Sequence, residues 1–284
     1  MVTINGEVVD PILIDEAFMR IKAAAEGKSE SSCCERDDEF LEQARNEVIE
    51  GILLAQEAER IIPTPEQGEI REHFEETLRE WRAHGASWDL LEAQRDQLRG
   101  EIVAKLRMDR FVESVWSGLP ELGENDLHAW YRDHQDEFRR PARSKVLHLV
   151  IFPDESNPAD DYRKLAGIRN DILDGADFAE LASAHTQKAD REIDLGWIEQ
   201  ERILNTFESM LFSLRENEVS PVFYYEQALH LIWPVIVEPE HIAPYETVAD
   251  QVREMALTDQ RRRALHEFAL KLKTEAVIEH EAIS

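Results

Sequence analysis

Asp194-Leu195-Gly196-Trp197 opens the stretch that decides the fold, and it continues through Leu211-Phe212-Ser213-Leu214-Arg215-Glu216-Asn217-Glu218-Val219-Ser220-Pro221-Val222 to Leu229-His230-Leu231-Ile232. Upstream, Val146-Leu147-His148-Leu149-Val150-Ile151 is an apolar run that predicts a buried strand over residues 145–152. Helical patterns follow near 159–174 and 177–184, and two more strands are predicted near 222 and over 229–236. Strands and helices in this order predict a small α+β domain.

This series resembles the parvulin family of peptidyl-prolyl isomerases over roughly residues 143 to 237. The resemblance implies that the protein catalyses rotation about X-Pro peptide bonds. That rotation has a barrier of about 18–20 kcal/mol because the amide loses its resonance when it twists. A pocket that excludes water, binds the proline ring and donates hydrogen bonds to the twisted form is sufficient. The resemblance therefore implies an isomerase that needs no nucleophile, cofactor or metal.

The candidate site residues also come from the resemblance. The positions that contact the substrate are apolar or aromatic: Leu195, Ile203, Phe207 and Tyr225. The catalytic positions are polar: His148, His230, Asp190 and Gln227. For the apolar positions, simple core packing stays open as an alternative, because apolar residues are by default buried in cores. A histidine, in turn, is as often a neutral hydrogen-bond relay as an acid or base.

The chain departs from the family pattern in two places. After the second helix of the domain the family has Ser-Asp-Asp or Ser-Asp-Cys, where this chain reads His185-Thr186-Gln187-Lys188-Ala189-Asp190. The group expected opposite the imide is therefore Lys188 or Asp190. Near the last strand, Tyr225, Gln227 and Ala228 replace a small hydroxyl residue and a glycine, and alanine replaces glycine poorly where φ is positive. These departures motivate an alternative function, a binding module with little or no turnover.

Outside this domain the chain is predicted to be helical after an opening hairpin around Asn5-Gly6. One helix carries an apolar stripe at intervals of three and four: Leu41, Ala44, Val48, Ile52 and Ala55. Thr64-Pro65-Glu66-Gln67 predicts a capping box, with Thr64 as the N-cap. A last amphipathic helix carries Val248, Val252, Met255, Leu265, Phe268 and Leu272. Because such a helix is unstable alone in water, we expect it to pack on the N-terminal helices.

Several N-terminal segments resemble SurA-type chaperones: Val2-Thr3-Ile4-Asn5-Gly6-Glu7-Val8-Val9, Leu53-Leu54-Ala55-Gln56-Glu57-Ala58 and Asp126-Leu127-His128-Ala129-Trp130-Tyr131. The resemblance implies an all-helical chaperone domain from both chain ends, over 1–138 plus 241–284. The parvulin domain is then inserted over 139–240, after the linker Arg139-Arg140-Pro141. Gly118-Leu119-Pro120-Glu121 also resembles the isomerase that matures the nitrogenase iron protein. A maturation factor dedicated to one client is therefore a further alternative.

The net charge of the chain restricts the classes of partner that it can bind. The chain has 60 acidic and 32 basic residues, a formal net charge of -28, which argues against nucleic acid and anionic membranes. We expect unfolded or partly folded, proline-containing polypeptides as partners, and the sequence specifies no oligomeric state. No run approaches the ~20 apolar residues of a membrane-spanning helix, and no signal peptide opens the chain, so we expect a cytoplasmic location unless a signal was removed. Cys33 and Cys34 are adjacent, which favours loop thiols over a redox or metal role.

Overall fold

The computed structural model describes residues 2–26, 36–85, 87, 92–154, 156–201 and 204–280. The chain divides into two compact units, residues 1–123 with 253–284, and residues 124–252. Ile203, Cys33 and Cys34 lie outside the described residues.

Among its described residues, the first part of the chain contains the strands β1 Val2–Ile4 and β2 Glu7–Val8 and the helices α1 Pro11–Glu26, α2 Asp37–Ile61, α3 Gln67–Ala83 and α4 Arg95–Ser117. The middle part comprises α5 Glu124–Asp133, a 3-10 helix Gln135–Phe138, β3 Arg139–Arg140, β4 Arg143–Ile151, α6 Pro158–Leu173, α7 Phe178–His185, β5 Asp194–Glu199, α8 Thr206–Leu211, β6 Phe223–Tyr225, β7 Ala228–Glu238 and β8 His241–Ile242. The last elements are α9 Tyr245–Glu275 and β9 Ile278–His280. The expected α+β class is confirmed.

Both chain ends contribute to the first unit. β1 lies between β2 and β9 in an antiparallel sheet, with Ile4 opposite Ile278. The buried residues Ile4, Val9, Ile49 and Leu53 form a cluster against which Leu272, Ala276 and Ile278 pack. The Phe268 ring also meets the Phe111 ring edge-on, with 5.3 Å between centroids. This unit is therefore not all-helical, since its last strand pairs with the opening hairpin that the sequence predicted.

One local expectation for the first unit holds only in part and another is wrong. The buried residues of α2 are Phe40, Ala44, Ile49, Leu53 and Ala58, so Ala44 of the expected stripe is buried, while Val48 and Ile52 are half-buried against the cluster of Ile4. An apolar stripe at helical spacing fits neighbouring faces nearly as well, and the packing partners decide which face is buried. The expected capping box is absent, because α3 begins at Gln67 after Glu66, without a side-chain cap. The Thr64 hydroxyl instead accepts a hydrogen bond from the Arg107 guanidinium at 2.9 Å.

The second unit begins before Arg139 and ends after Glu240, unlike the division expected at those positions. The Tyr131 hydroxyl on α5 donates to the Ala243 carbonyl at 2.7 Å, and the Ala243 amide donates to the Phe138 carbonyl at 2.9 Å. β3 pairs with β8. Residues 124–138 therefore pack with residues 241–252, a long-range contact that a linker signal at Pro141 does not encode.

A four-stranded antiparallel sheet in the order β5-β4-β7-β6 forms the centre of the second unit. One face of β4 and β7 packs under α6 and α7 through the following residues: Leu149, Ile151, Leu165, Ile168, Ile172, Phe178 and Leu231. The other face carries Val146 and Ile232, which pack with Leu211 and Leu214 at the end of α8. Because side chains alternate along a strand, His148 and His230 share this second face.

Candidate active site

The two histidines meet on the central strands. β4 and β7 pair with His148 opposite Ile232 and Val150 opposite His230, so the histidines are diagonal neighbours. Their rings stack at 5.0 Å between centroids and 9° between planes, and 2.7 Å separates His148 Nε2 from His230 Nδ1. Only 8% of His148 and 6% of His230 are exposed.

Hydrogen bonding determines the tautomers of this pair. His230 Nε2 lies 2.9 Å from the Tyr225 carbonyl oxygen. A carbonyl only accepts, so His230 Nε2 carries a proton, and in the neutral ring His230 Nδ1 is the acceptor. His148 Nε2 must then donate to His230 Nδ1, which leaves His148 Nδ1 unprotonated. Nδ1 is buried and has no hydrogen-bond partner.

Both imidazoles are held neutral. Burial, with smaller contributions from His230 and Lys188, lowers the pKa of His148 to about 4. Burial also lowers the pKa of His230, against the bond to the Tyr225 carbonyl and the nearby Glu226 carboxylate, which raise it. At neutral pH the pair is thus a fixed, uncharged hydrogen-bond relay and not a proton donor.

Three aromatic rings surround the histidines. The Phe207 ring stands edge-on to both, with centroids 5.7 Å from His148 and 6.0 Å from His230. The Phe223 ring stacks on His230 at 5.4 Å, and the Tyr225 ring lies 6.1 Å from it. Such ring contacts are typical of packed aromatic clusters. Together these residues form an apolar wall beside a neutral polar pair, which we call the ring cluster: His148, Phe207, Phe223, Tyr225 and His230.

A capping box fixes the position of Phe207. The Asn205 side chain accepts from the Glu208 amide at 2.8 Å, and the Glu208 carboxylate accepts from the Asn205 amide at 3.0 Å. Reciprocal capping of this kind satisfies two backbone donors that would otherwise lack partners at a helix start. α8 therefore begins at a defined residue, and Phe207, the second residue of the helix, is held towards the histidines.

The loop after α7 brings Lys188 towards the histidines. The Gln187 amide donates to the Val150 carbonyl at 2.9 Å, which attaches this loop to the strand of His148. Lys188 is half-buried, and its Nζ lies 3.5 Å from an Asp190 carboxylate oxygen. Asp190 is exposed, and its pKa is lowered chiefly because its carboxylate accepts a hydrogen bond from the Glu192 amide. After burial and His230, the charge of Lys188 also lowers the pKa of His148.

The hairpin between β6 and β7 explains the substitutions near the last strand. Tyr225 pairs with Ala228, so the loop is the two-residue turn Glu226-Gln227, with φ of 43° and 64°. Positive φ at both loop residues matches the turn that best joins twisted strands, for which Asn-Gly is preferred. Backbone strain was expected at Ala228, and this expectation is wrong. The residues with positive φ are Glu226 and Gln227. Gln227 is exposed at the turn, whereas the histidines are buried.

The remaining expected residue, Leu195, is half-buried on β5. The pairing of β5 with β4 shifts register here, and Gly196 has a φ of 70°. Phe223, which stacks on His230, was not among the site residues predicted from the sequence. Its signal was the aromatic run Phe223-Tyr224-Tyr225, in which alternation places the first and third rings on one face.

The chain is similar to proteins of known family. The profile of the PPIC-type PPIase domain matches residues 123–250. The chain carries a parvulin-type peptidyl-prolyl isomerase domain. NifM of Klebsiella pneumoniae, named as a peptidyl-prolyl cis-trans isomerase, is 33% identical over 143 residues, 49% of this chain and 53% of that protein. The chaperone SurA of Ralstonia nicotianae is 28% identical over 142 residues, 49% of this chain and 28% of that protein.

These matches have a limited span. The aligned part covers about half of the first relative and less of the second, and both alignments include about half of this chain. A solved SurA-like chaperone from Campylobacter jejuni matches 98% of both chains at 14% identity, but its TM-score of 0.45 supports no conclusion. The recognition of a parvulin domain is confirmed, and an inactive binding module is not favoured. The expected cytoplasmic location finds no support among these relatives.

In the part of the chain that the structure describes, histidine, cysteine, aspartate and glutamate side chains form no group of three or more that could hold a metal ion. In the same part of the chain, no helix combines the length and apolar character needed to cross a membrane.

The buried histidine pair predicts a loss of stability in acid. In the unfolded chain His148 takes up a proton near pH 6.5, whereas in the folded protein it stays neutral down to about pH 4. The unfolded state therefore binds more protons between these values, and stability falls as the pH falls through this window. At 1.36 kcal/mol per pKa unit, the contribution of His148 is about 3 kcal/mol. Denaturant unfolding between pH 7.5 and 4 measures it.

A substitution isolates this contribution from that of the carboxylates. His148→Gln removes the titrating group, so the variant should show a shallower loss of stability between pH 6.5 and 4. The exposed His241 offers a matched control, and His241→Gln should keep the wild-type slope. Equal slopes for wild type and His148→Gln would contradict the assignment of a neutral, buried imidazole.

Proposed function

We propose that this protein is a peptidyl-prolyl cis-trans isomerase and folding chaperone that acts on polypeptide clients, with residues 124–252 as its catalytic unit. The observation that supports this best is the ring cluster, in which two neutral, hydrogen-bonded histidines lie beside the rings of Phe207, Phe223 and Tyr225. The family of the matched domain supports the same reaction.

The ring cluster suits the reaction because X-Pro rotation needs little covalent chemistry. In the twisted state the imide loses its resonance and with it much of its polarity, so an apolar wall that excludes water favours this state over the planar amide. Phe207 is held by its capped helix and provides a surface for the proline ring. The neutral pair satisfies the Tyr225 carbonyl through His230 Nε2 without adding charge. Leu195 and Tyr225 are proposed to contact the client, and Gln227 and Asp190 to border it.

Exchange NMR of Xaa-Pro peptides with the full chain tests the activity. Uncatalysed exchange takes tens to hundreds of seconds, which leaves a wide window for detecting even a slow enzyme. We expect exchange to accelerate in proportion to protein concentration. Rates equal to those in buffer at high protein concentration would refute the isomerase assignment.

A second measurement addresses the chaperone part. Full-length protein should reduce the aggregation of an unfolded, proline-containing client at equimolar concentration, because a chaperone binds apolar segments before they associate. A client variant without proline separates the two activities, since binding to unfolded chain does not require the imide. Undiminished aggregation of both clients would refute the chaperone assignment. The isomerase assignment would then still be tested separately by exchange NMR.

A further inference from the structure

This inference rests on the proposed isomerase function and concerns the residue that precedes the proline in the client. Rotation about an X-Pro bond moves residue X relative to the proline ring, so a site that holds only the ring leaves the other side of the bond unconstrained. Binding energy from groups that do not react positions the bond that does. We therefore expect a subsite for the side chain of X beside the ring cluster.

Phe152 continues the direction of β4 beyond its last residue, Ile151. The Val150 carbonyl accepts from the Gln187 amide at 2.9 Å, and the Phe152 amide donates to the Gln187 side-chain oxygen at 2.8 Å. In an extended chain the carbonyl of one residue and the amide two residues later point to the same side, so the alternation of side chains continues through Phe152. Ile151 packs in the cluster with α6 and α7. Phe152 therefore lies on the opposite face, which also carries His148.

The register of the sheet places Phe152 and Tyr225 on either side of a small residue. The pairing of β4 with β7 extends to Ile151 opposite Leu229. The next residues at this end of the sheet, Phe152 and Ala228, are therefore neighbours, and Ala228 pairs in turn with Tyr225 on β6. Because adjacent strands are about 4.8 Å apart, roughly 10 Å separates the backbones of Phe152 and Tyr225. These two residues and Ala228 form a slot with two aromatic walls, which we call the side slot.

The side slot is open to solvent and continuous with the ring cluster. Phe152 is 53% exposed, Tyr225 is half-buried, and Ala228 at the base is 2% exposed. The Tyr225 ring belongs to both the slot and the cluster, and its centroid lies 6.1 Å from those of Phe207 and His230. Along β7, Ala228 and His230 are two residues apart, which is about 7 Å in a strand. A side chain in the slot therefore belongs to a residue next to the one that the ring cluster holds.

We propose that the side slot binds the side chain of the residue before the proline, and that Phe152 is a specificity-determining residue for it. The slot is one strand wide and lined by two aromatic residues and a methyl group, so its occupant is a bulky apolar side chain such as that of phenylalanine. Tyr225 and Ala228 stand where the parvulin pattern has a small hydroxyl residue and a glycine, so this aromatic wall is not part of the family pattern. The clients are polypeptides with a bulky apolar residue before proline.

The test uses the full chain and peptides that differ at one residue, Phe-Pro and Ala-Pro. Exchange NMR gives kcat/KM, and titration of the same peptides gives Kd. The variants are Phe152→Ala and Phe152→Leu, with Tyr162→Ala as the matched control. Tyr162 is 50% exposed and lies on α6, which packs on the other face of the sheet. Thermal unfolding of each variant checks that it is folded.

We expect wild type to prefer Phe-Pro over Ala-Pro by about tenfold or more in kcat/KM, since one methylene in an apolar pocket is already worth about tenfold. Phe152→Ala should reduce this ratio to about threefold or less, because one wall is lost and Tyr225 remains. Phe152→Leu should keep most of the ratio, and Tyr162→Ala should match wild type. A peptide with the phenylalanine after the proline should behave like Ala-Pro in every variant.

Three results would overturn the side slot. The first is a folded Phe152→Ala chain with the wild-type ratio in both kcat/KM and Kd. The second is a larger effect of Phe152→Ala on the peptide with phenylalanine after the proline. The third is a stronger preference for Arg-Pro than for Phe-Pro, which would assign selection to the exposed Glu226 in the adjoining turn.

The two measurements separate this inference from the proposed function. A chain without turnover on any peptide would refute the isomerase assignment, and the ratio of Kd values would then decide the side slot. A Kd ratio that falls in Phe152→Ala but not in Tyr162→Ala would support the slot even in that case. A Kd ratio that stays the same in both variants would refute it.

Discussion

Removal of residues 253–284 should unfold the first unit while the second stays folded. The deletion takes away β9, the edge strand that pairs with the central strand β1, and the side chains of Phe268, Leu272 and Ile278. Full burial of three such side chains contributes about 5–8 kcal/mol, and a whole domain is stable by only about 5–15 kcal/mol. Even with partial burial, the loss should leave the cluster around Ile4 and Leu53 exposed to water. Circular dichroism and thermal unfolding of the truncated chain measure the effect.

Two adjacent substitutions in α9 provide the matched control for this deletion. Ala269 is 0% exposed and Leu270 is 42% exposed. Ala269→Asp places an unpaired carboxylate in the packed interface and should cost several kcal/mol, whereas Leu270→Asp should stay within about 0.5 kcal/mol of wild type. If the truncated chain keeps its helical content and melting temperature, or if the two substitutions behave alike, the two chain ends do not depend on each other.

Phe207→Ala should have the largest effect of any single substitution on isomerase activity. The ring contacts His148, His230, Phe223 and Tyr225, and its removal opens the ring cluster to water. A loss of about 1.4 kcal/mol in transition-state stabilisation lowers kcat/KM about tenfold, and we expect at least this much. Because Phe207 is only half-buried, the cost in stability should stay below the roughly 3–5 kcal/mol of a fully buried phenylalanine.

Phe212 separates activity from packing. It is also half-buried and packs against the same cluster of Val146, Leu211 and Ile232, but it makes no ring contact with the histidines. Phe212→Ala should therefore lose a similar amount of stability and keep most of kcat/KM. Phe207→Leu should fall between wild type and Phe207→Ala. A loss of activity that is the same for Phe207→Ala and Phe212→Ala would show that Phe207 acts only through the fold.

Much of the second unit was predictable because its signals are local or strongly periodic. The run from Val146 to Ile151 predicted a buried strand, and β4 spans Arg143–Ile151. The expected helices match α6 and α7 to within about two residues, since helix boundaries fray and assignments differ by that much. The resemblance also named His148, His230 and Phe207 in advance, and the structure brings these three side chains together.

The sequence by itself determined the α+β class, the hairpin at Asn5-Gly6, the strand of His148 and the identity of the histidine pair. The tertiary structure alone decided which face of α2 is buried, that β9 pairs with β1, and that residues 124–138 pack with residues 241–252. It also decided that the charge of Lys188 contributes to the lowered pKa of His148, while Asp190 is exposed to solvent. Local patterns depend on residues that are neighbours in the sequence. The other features depend on contacts between residues far apart in the chain, and these contacts stabilise the protein only once it has folded.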